Sequence, residues 1–291
     1  MSDDRIWDYS VLSTFQTCRK KYYWTYVRNL RPKIKGVALE FGGAIHEALD
    51  AYYINGGGEN GLACAKTVFE CNYKDREGDK LRTVANGIKM LEWYSKKYAS
   101  EPFKVLGKPE TGFVFHVSDN VLFGGRIDLP VEWDGQLWIM EHKTTTRLTS
   151  GYFDQFELDR QVTGYIIAAE NYFKDRKVMG CIVNVLEPWK ELIRPTAKSK
   201  TPEDHFLRKP ITRSLMLKER FLLNTQRLVR DIQWCEENDE FQEAEKKEVC
   251  QYYNRPCPYL QLCKYGEDEK VIANDYIVEK WEPFKPQESE E

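Results

Sequence analysis

Apolar side chains recur at helical spacing along much of this chain. In residues 10–27 (SVLSTFQTCRKKYYWTYV) and 41–53 (FGGAIHEALDAYY), the large apolar residues fall on one stripe, which predicts amphipathic helices. Ser10 or Ser13 is the expected N-cap of the first helix. Similar patterns, separated by glycine or proline, predict further helices at about 62–74, 81–98, 156–173 and 202–238.

The pattern changes to a period of two residues in the middle of the chain. Residues 111–117 (TGFVFHV) alternate, and two apolar runs flank the turn Asp134-Gly135, which favours a β-hairpin. A further apolar, β-branched run at 177–187 (KVMGCIVNVLE) predicts a buried strand. The order of helices, three strands, a helix, a strand and a last helix indicates a mixed α/β or α+β fold.

The hairpin contains acidic residues where buried strands are ordinarily apolar. With Asp134 and Gly135 as the loop, residues whose numbers add to 269 face each other, so Asp128 lies opposite Glu141. Hydrogen-bonded and non-hydrogen-bonded pairs alternate outward from the turn, and this pair is of the non-hydrogen-bonded kind, in which the Cα atoms approach to about 4.5 Å. Lys143, two residues after Glu141, lies on the same face. Two carboxylates about 5 Å apart repel by roughly 3 kcal/mol at an effective dielectric constant near 20.

A shared divalent cation would compensate this repulsion, because the flanking residues are apolar and water would relieve little of it. Carboxylate oxygens suit Mg²⁺ or Mn²⁺, and Lys143 close by suits activation of a water molecule or stabilisation of phosphate charge. The alternative is a pair of surface carboxylates that form salt bridges with Arg126 and Lys143. The apolar runs on both sides favour the metal site.

Composition narrows the class of protein. With 42% hydrophobic residues in 291, the chain can bury one sizeable core. No apolar run approaches the roughly 18 residues of a membrane span. The first residues, MSDDRIWDYS, lack the basic-then-apolar order of a signal peptide, so we expect a soluble, cytoplasmic protein with no membrane partner.

A basic segment is hidden by the formal net charge of -3. Residues 18–39 hold seven basic residues and no acidic one, among them Arg19, Lys20 and Lys21, with aromatic residues between them. Such a segment could bind DNA phosphates while its aromatic rings pack or stack. A solvated helix face with a buried side is an equally simple explanation.

Four further residues are candidates that no local pattern singles out. His46 lies beside the apolar stripe of its helix and, taken alone, is typical of a hydrogen-bonded residue at a helix edge. Glu110 stands just before the first strand, where it could be a surface charge. Gln161 and Tyr165 are spaced i and i+4 on one helix face, which ordinary amphipathic helices also show.

Seven of the eight cysteines fall into two groups, and the eighth, Cys18, lies in the first predicted helix. In a cytoplasmic protein they are not expected to form a disulfide framework. Some occur within helical or strand patterns and are expected to pack as small apolar residues: Cys64, Cys71, Cys181 and Cys235. Others lie in the segment CQYYNRPCPYLQLC, whose prolines and turns leave thiolates free to converge on a metal: Cys250, Cys257 and Cys263.

Taken together and in order, several motifs resemble those of RecB-like nucleases of the PD-(D/E)XK superfamily, which includes nucleases of CRISPR adaptation and many phage exonucleases. The motifs are YSVLSTFQTCRKKYY, FGGAIHEAL, GGRIDLPVEWDGQLWIMEHKT and RQVTGY, and they extend from Tyr9 to Tyr165. The resemblance implies a restriction-endonuclease-like core, with a mixed central sheet flanked by helices.

The resemblance also implies roles for individual residues. The implied ligands of a catalytic Mg²⁺ or Mn²⁺ are His46, Asp128 and Glu141. Lys143 would complete the Glu-x-Lys motif of the family, and Glu110 matches a position that is often acidic and would be accessory. The implied DNA contacts near the site are Gln161 and Tyr165.

Some RecB-like nucleases hold a [4Fe-4S] cluster through one cysteine of the N-terminal helix and three near the C-terminus. The resemblance implies such a cluster at Cys18, Cys250, Cys257 and Cys263, with residues 239–266 as a clamp that closes on Cys18. The interval between Cys250 and Cys257 is longer than in some members. Four cysteine ligands also fit Zn²⁺, so zinc is the alternative, and packing without a metal is a third possibility.

These inferences converge on a metal-dependent deoxyribonuclease, expected to be an exonuclease on DNA ends or single strands in recombination, repair, replication or CRISPR adaptation. We expect one nuclease domain over 1–282, a helical insertion at about 41–100 and a disordered tail at 283–291. No Gly-x-x-x-x-Gly-Lys-[Ser/Thr] loop occurs, so unwinding would need a helicase or recombination partner. The alternatives are a non-catalytic DNA-binding or assembly subunit and a zinc-stapled module with structural carboxylates.

Overall fold

The computed structural model describes residues 5–189, 200–252 and 255–282. The tail predicted to be disordered, 283–291, lies outside the described residues. The chain forms two compact units. The larger unit comprises residues 36–113 and 126–218, and the smaller unit comprises the described parts of 1–35, 114–125 and 219–291.

The secondary structure alternates between helical and strand-rich regions. The strands are β1 (Ile6–Trp7), β2 (Leu30–Pro32), β3 (Phe103–Val105), β4 (Thr111–Ser118), β5 (Val121–Ile127), β6 (Leu129–Trp133), β7 (Gln136–Thr144), β8 (Val178–Leu186), β9 (Phe206–Ile211), β10 (Gln251–Tyr252), β11 (Arg255–Pro256) and β12 (Tyr276–Val278). The α-helices are α1 (Tyr9–Thr17), α2 (Arg19–Tyr22), α3 (Val37–Ile54), α4 (Gly58–Asn72), α5 (Val84–Lys97), α6 (Arg160–Tyr172), α7 (Leu215–Asn238), α8 (Lys247–Cys250), α9 (Leu260–Tyr265) and α10 (Glu269–Asp275). A π-helix spans Tyr23–Val27, and short 3₁₀ helices span Tyr152–Phe156 and Pro202–His205.

The larger unit is built on a five-stranded mixed sheet in the order β3-β6-β7-β8-β9. β7 and β8 are parallel, and the other neighbouring pairs are antiparallel. The sequences of β7 and β8 are mostly apolar because helices cover both of their faces. The fold is therefore the expected mixed α/β arrangement of a central sheet flanked by helices.

The helices α3, α4 and α5 share one apolar core with the sheet. Its buried members include Ile45, Phe69 and Met90 from the helices and Leu129 and Met140 from the strands. The remaining helix of this unit, α6, packs against β7 and β8. Since side chains alternate along a strand, β7 directs successive residues toward different helical layers.

The hairpin forms with the predicted register. Asp134 and Gly135 both have positive φ, 51° and 69°, as the tight turn requires. β6 pairs with β7 as far as Leu129↔Met140, and the ladder ends one residue short of Asp128. The first arm of the predicted hairpin is in fact β5 and β6, which belong to different sheets, with Asp128 at the break between them.

The helix predicted at about 202–238 is wrong over its first part. The strand β9 occupies that region, and α7 begins only at Leu215. Arg208 and the other charged residues of β9 hid the strand, because a charged run is ordinarily solvent-facing helix or loop. Pro210 is compatible with this strand because β9 lies at the edge of the sheet.

The start of the chain also differs from the predicted single helix. The side chain of Asp8 accepts a hydrogen bond of 2.9 Å from the backbone N–H of Val11, so the expected cap at Ser10 or Ser13 is wrong. Cys18 adopts extended backbone angles (φ -164°, ψ 114°) and separates α1 from α2. The helical pattern therefore contains a break at the one cysteine in this segment.

The smaller unit contains short strands and a second apolar core. β1 pairs in parallel with β5, which also neighbours β4. β2 and β12 form an antiparallel ribbon. Residues from near both chain ends form the core: Trp24, Leu30, Tyr259, Leu262 and Tyr276. Cys257 and Cys263 pack against this core.

Candidate active site

Asp128 and Glu141 lie at the point where the hairpin ladder ends. Asp128 is 6% exposed and Glu141 2% exposed, so the alternative of surface carboxylates is wrong. The Oδ2 atom of Asp128 accepts a hydrogen bond of 2.7 Å from the backbone N–H of His142. The backbone carbonyl of Asp128 accepts one of 3.0 Å from the N–H of Glu110. These bonds fix Asp128 between the end of β5 and the start of β6.

His46 and Glu110 approach the same carboxylate. The Nδ1 atom of His46, on α3, lies 3.5 Å from Oδ2 of Asp128. One ligand atom from each of His46, Glu110 and Asp128 lies within 4.8 Å of the others. Within the described ranges this is the one group of three or more His, Cys, Asp or Glu side chains that meets this spacing. Glu110, expected only as an accessory residue, thus belongs to the centre of the cluster.

A glycine allows α3 to come close to the end of β7. A Cβ atom at Gly42 would lie 3.0 Å from Oγ1 of Thr144, the last residue of β7. His46 follows Gly42 by one helical turn and lies on the same side of α3. The close approach therefore brings His46 to the edge of the sheet where the acidic residues stand.

Burial and mutual repulsion dominate the electrostatics of this cluster. Burial, followed by the charge of Glu110, raises the pKa of Asp128 to about 7. Burial, followed by the charge of Asp128, raises the pKa of Glu141 to about 7. The pKa of Glu110 is also raised, chiefly by burial. Asp50, one turn beyond His46 on α3, has its pKa raised to about 8 by burial and by Glu110 and Asp128.

One acidic oxygen in the site lacks a protein partner. The Oε2 atom of Glu141 is buried and has no hydrogen bond to any residue in the part of the chain that is described. An unpartnered, buried carboxylate oxygen is costly unless a ligand satisfies it. Three carboxylates and one imidazole, Glu110, Asp128, Glu141 and His46, are a donor set that suits Mn²⁺ or Mg²⁺. The residues present therefore fit a divalent cation.

Lys143 connects the acids to α6. Its Nζ donates to Oε1 of Glu141 and, over 2.9 Å, to Oε1 of Gln161. The Nε2 of Gln161 donates in turn to the hydroxyl of Tyr165 over 3.0 Å. Burial disfavours the charged form of Lys143, but the negative charges of Glu141 and Asp128 have the larger combined effect and raise the pKa of Lys143. Lys143 is therefore a fixed positive charge, and Gln161 and Tyr165 line the same site.

The middle residue of the Glu-x-Lys motif, His142, has partners that sequence analysis missed. Its Nδ1 lies 2.7 Å from Nδ2 of Asn184 on β8. Its ring stacks on Tyr53 with centroids 6.0 Å apart, and it meets the ring of His46 edge-on at 5.9 Å. Burial lowers the pKa of His142 well below its usual range, so the ring is neutral. A polar residue inside the apolar run of β8 was the signal for this contact.

Arg208 fixes the orientation of that network. Its guanidinium donates to both oxygens of Glu101, over 2.6 and 2.9 Å, and its Nε donates to Oδ1 of Asn184 over 3.1 Å. Because Oδ1 of Asn184 faces the arginine, its Nδ2 faces His142 and must donate. His142 Nδ1 is then the acceptor, and the proton of the neutral ring is on Nε2. The network holds His142, whose N–H positions Asp128.

The four cysteines predicted to bind a cluster all belong to the smaller unit. The backbone N–H of Cys257 donates to the carbonyl of Cys250 over 2.8 Å. Burial raises the pKa of the Cys257 thiol, and the nearby Cys18 and Cys250 raise it further. Cys263 accepts a hydrogen bond of 3.4 Å from the indole N–H of Trp24, and Cys18 accepts one of 3.3 Å from the N–H of Lys21.

The three basic residues predicted to bind DNA are half-buried in the smaller unit. The guanidinium of Arg19 lies 5.2 Å from the ring of Phe15 and contacts the sulfur of Cys235. The ammonium of Lys20 lies 4.6 Å from the ring of Tyr23. Aromatic contacts thus hold Arg19 and Lys20 in place, and contact of Arg19, Lys20 and Lys21 with DNA stays a prediction.

Comparison with known proteins identifies the superfamily. The sequence matches the PD-(D/E)XK nuclease superfamily over residues 7–264, and the chain belongs to it. No curated protein gives a significant match. A candidate exonuclease from Eubacterium rectale has a similar backbone, with 10% identity, a TM-score of 0.48, and 85% of this chain and 93% of that chain covered. A protein named SSO0001 has 12% identity, a TM-score of 0.36, and coverages of 89% and 96%.

Membership of this superfamily indicates phosphodiester hydrolysis as the chemistry and DNA as the substrate class. The cluster of His46, Glu110 and Asp128 agrees with the divalent metal that such nucleases typically use. Among the helices that the structure describes, none has the length and apolarity needed to cross a membrane.

Proposed function

We propose that this protein is a Mg²⁺- or Mn²⁺-dependent deoxyribonuclease that acts on DNA ends or single strands. The observation that supports it best is the convergence of His46, Glu110 and Asp128 beside a buried Glu141 oxygen without a protein partner. A non-catalytic subunit would gain no stability from these acids, because burial and repulsion disfavour their charged forms.

The proposed ligands are His46, Glu110, Asp128 and Glu141. A bound Mg²⁺ or Mn²⁺ would polarise the scissile phosphate and lower the pKa of a water molecule. The hydrogen bond from the N–H of His142 holds Asp128 in a single orientation. Lys143, which stays charged, orients the attacking water or neutralises charge that develops on the phosphate.

The substrate contacts are proposed on two sets of residues. Gln161 and Tyr165 would contact the nucleotide next to the scissile bond, and the hydrogen bonds that link them to Lys143 support this role. Arg19, Lys20 and Lys21 would bind phosphates. An exonuclease of this kind would serve DNA recombination, repair, replication or CRISPR adaptation, together with a helicase or recombination partner that supplies unwinding.

We also propose a [4Fe-4S] cluster at Cys18, Cys250, Cys257 and Cys263. The resemblance of the cysteine pattern to that of RecB-like nucleases supports it, and after burial the charges of Cys18 and Cys250 contribute to the raised pKa of Cys257. No three of the four sulfurs meet the 4.8 Å spacing of the acidic cluster in the described residues. Hydrogen bonds from N–H groups to cysteine sulfurs are a usual feature around such clusters. The cluster would join the N-terminal segment to the C-terminal one, and zinc is the alternative metal.

A cleavage assay with a matched control tests the proposed activity. End-labelled single- and double-stranded DNA is incubated with anaerobically purified protein and Mn²⁺ or Mg²⁺. Asp128→Asn should lower the rate by roughly 10²-fold or more, since it removes a charged ligand. Asp134→Asn makes the same chemical change at the hairpin turn, where asparagine also tolerates positive φ, and should leave the rate unchanged.

Equal cleavage rates for wild type and Asp128→Asn, or no metal-dependent cleavage by either, would refute the enzyme hypothesis. DNA binding without cleavage by wild type would then favour the non-catalytic DNA-binding or assembly subunit.

A further inference from the structure

The outer face of α7 carries a stripe of arginine and apolar side chains. Arg220, Leu223, Arg227, Arg230 and Trp234 follow one another at steps of three, four, three and four residues, so they lie in one row along the helix. All of them are exposed and belong to the smaller unit. The row, called the α7 stripe below, spans about 21 Å at a rise of about 1.5 Å per residue.

Folding of the smaller unit does not require the α7 stripe. The helix buries its opposite face through Phe221, Thr225, Leu228, Val229, Ile232 and Cys235. In contrast, Leu223 is 56% exposed and Trp234 is 50% exposed. Exposed large apolar residues in a row with like charges are a feature of interaction surfaces.

The arginines at the centre of the stripe are unpaired. Arg227 and Arg230 form no hydrogen bond or ion pair with any residue that the structure describes. Many other arginines do donate to a side chain or carbonyl: Arg5, Arg28, Arg76, Arg82, Arg176, Arg208 and Arg213. Asp231, at the border of the stripe, forms no ion pair with Arg227 although it lies one turn away. The stripe is thus locally positive on a chain of net charge -3.

We propose that the α7 stripe binds single-stranded DNA, an inference that rests on the proposed nuclease function and assigns a second contact surface to it. Unpaired guanidinium groups match phosphates, and an exposed indole offers a face on which a base can stack. A second copy of this chain does not fit, because two such rows would oppose arginine with arginine. The single strand matches both the charge and the aromatic ring.

Equilibrium binding tests the surface separately from catalysis. Fluorescent oligo(dT) is titrated in EDTA with full-length protein carrying Asp128→Asn, so that cleavage does not contribute. Arg227→Gln/Arg230→Gln should make the slope of log K against log salt less steep by about 1.4, since each phosphate contact on a single strand contributes about 0.7. Between 1 M and 0.1 M salt this difference amounts to a loss of about 25-fold in affinity.

Two further variants separate stacking from charge. Trp234→Ala should weaken binding by about fivefold or more and leave the salt slope unchanged, because it removes stacking only. Asp231→Asn should strengthen binding by about twofold, and this gain cannot result from misfolding. Lys246→Gln/Lys247→Gln removes the same charge from exposed positions of the same unit and is expected to leave the slope unchanged.

The proposal is wrong if Arg227→Gln/Arg230→Gln retains the wild-type salt slope, or if Lys246→Gln/Lys247→Gln reduces it equally. Because cleavage is absent from this assay, a protein with no nuclease activity could still confirm the α7 stripe. Conversely, if the protein is an active nuclease and these substitutions leave its DNA affinity unchanged, only the proposed role of the α7 stripe is refuted.

Discussion

Raising the pH in the absence of divalent metal should remove the stability that Asp128 and Glu141 contribute to the folded protein. The pKa of Asp128 and that of Glu141 are each raised to about 7 in the folded chain, against ordinary values of 3.8 and 4.5. The folded state therefore holds these protons more tightly than the unfolded state. Stability from this source is complete below about pH 4, falls as the pH rises, and is lost above about pH 7.

The size of the effect follows from the shifts. Between about pH 5 and about pH 7 an unfolded carboxyl group is ionised while Asp128 or Glu141 keeps its proton. Two pH units at about 1.4 kcal/mol each give about 3 kcal/mol. The charge of Asp128 is one cause of the raised pKa of Glu141, so the two shifts are not independent and the pair is expected to contribute about 3 kcal/mol rather than twice that.

Thermal unfolding in EDTA, followed by circular dichroism, measures this loss. For a chain of this size, about 3 kcal/mol corresponds to a melting temperature that falls by roughly 6–12 °C more in wild type than in the double variant Asp128→Asn/Glu141→Gln between about pH 5 and about pH 8. Addition of Mn²⁺ at pH 8 should restore the melting temperature, because the cation binds the ionised acids. The double variant Asp128→Asn/Glu141→Gln should lack both effects. Identical pH profiles for wild type and this variant would refute the electrostatic argument.

Three further predictions follow from single contacts. Lys143→Met should lower the rate of single-turnover cleavage by roughly 10²-fold or more. Mn²⁺ should still bind, as measured by electron paramagnetic resonance, because the ammonium is not a ligand. Unchanged cleavage would exclude the role of Lys143. Cys18→Ser should reduce the absorbance near 400 nm expected of an iron–sulfur chromophore, whereas a colourless wild type with stoichiometric zinc would establish the zinc alternative. Gly87→Ala should lower the free energy of unfolding in urea by about 1–3 kcal/mol, since the added Cβ would lie 2.1 Å from the ring of Phe69. Gly43→Ala is the control: its Cβ would have no neighbouring atom within 4 Å, so the free energy of unfolding should not fall.

Local rules predicted the hairpin and the residues it brings together. The turn at Asp134 and Gly135 has a narrow choice of backbone angles, and side chains alternate along a strand, so the register of β6 and β7 followed from counting. The same counting predicted that Asp128, Glu141 and Lys143 lie on one face of the hairpin, close to one another. His46 needed the family resemblance, because its distance from Asp128 depends on how closely α3 packs at Gly42.

Tertiary partners decided the features that sequence analysis missed. β9 looked helical because the partners of Arg208, among them Glu101, Asn184 and Tyr94, are distant in the sequence. Glu110 enters the cluster through a left-handed backbone conformation (φ 52°) and a hydrogen bond to Asp128, neither of which a pattern of apolar residues reveals. His142 gained its partners in the same way, from β8 and α3.

The central claim is that the buried acids at the end of the hairpin bind a divalent cation. Equilibrium binding of Mn²⁺, measured by electron paramagnetic resonance at about pH 8, tests it most directly. Wild type and Asp134→Asn should bind Mn²⁺ with equal affinity, and Asp128→Asn should weaken this binding by at least about tenfold, since it removes a charged ligand. Equal Mn²⁺ affinity in wild type and Asp128→Asn would contradict the account.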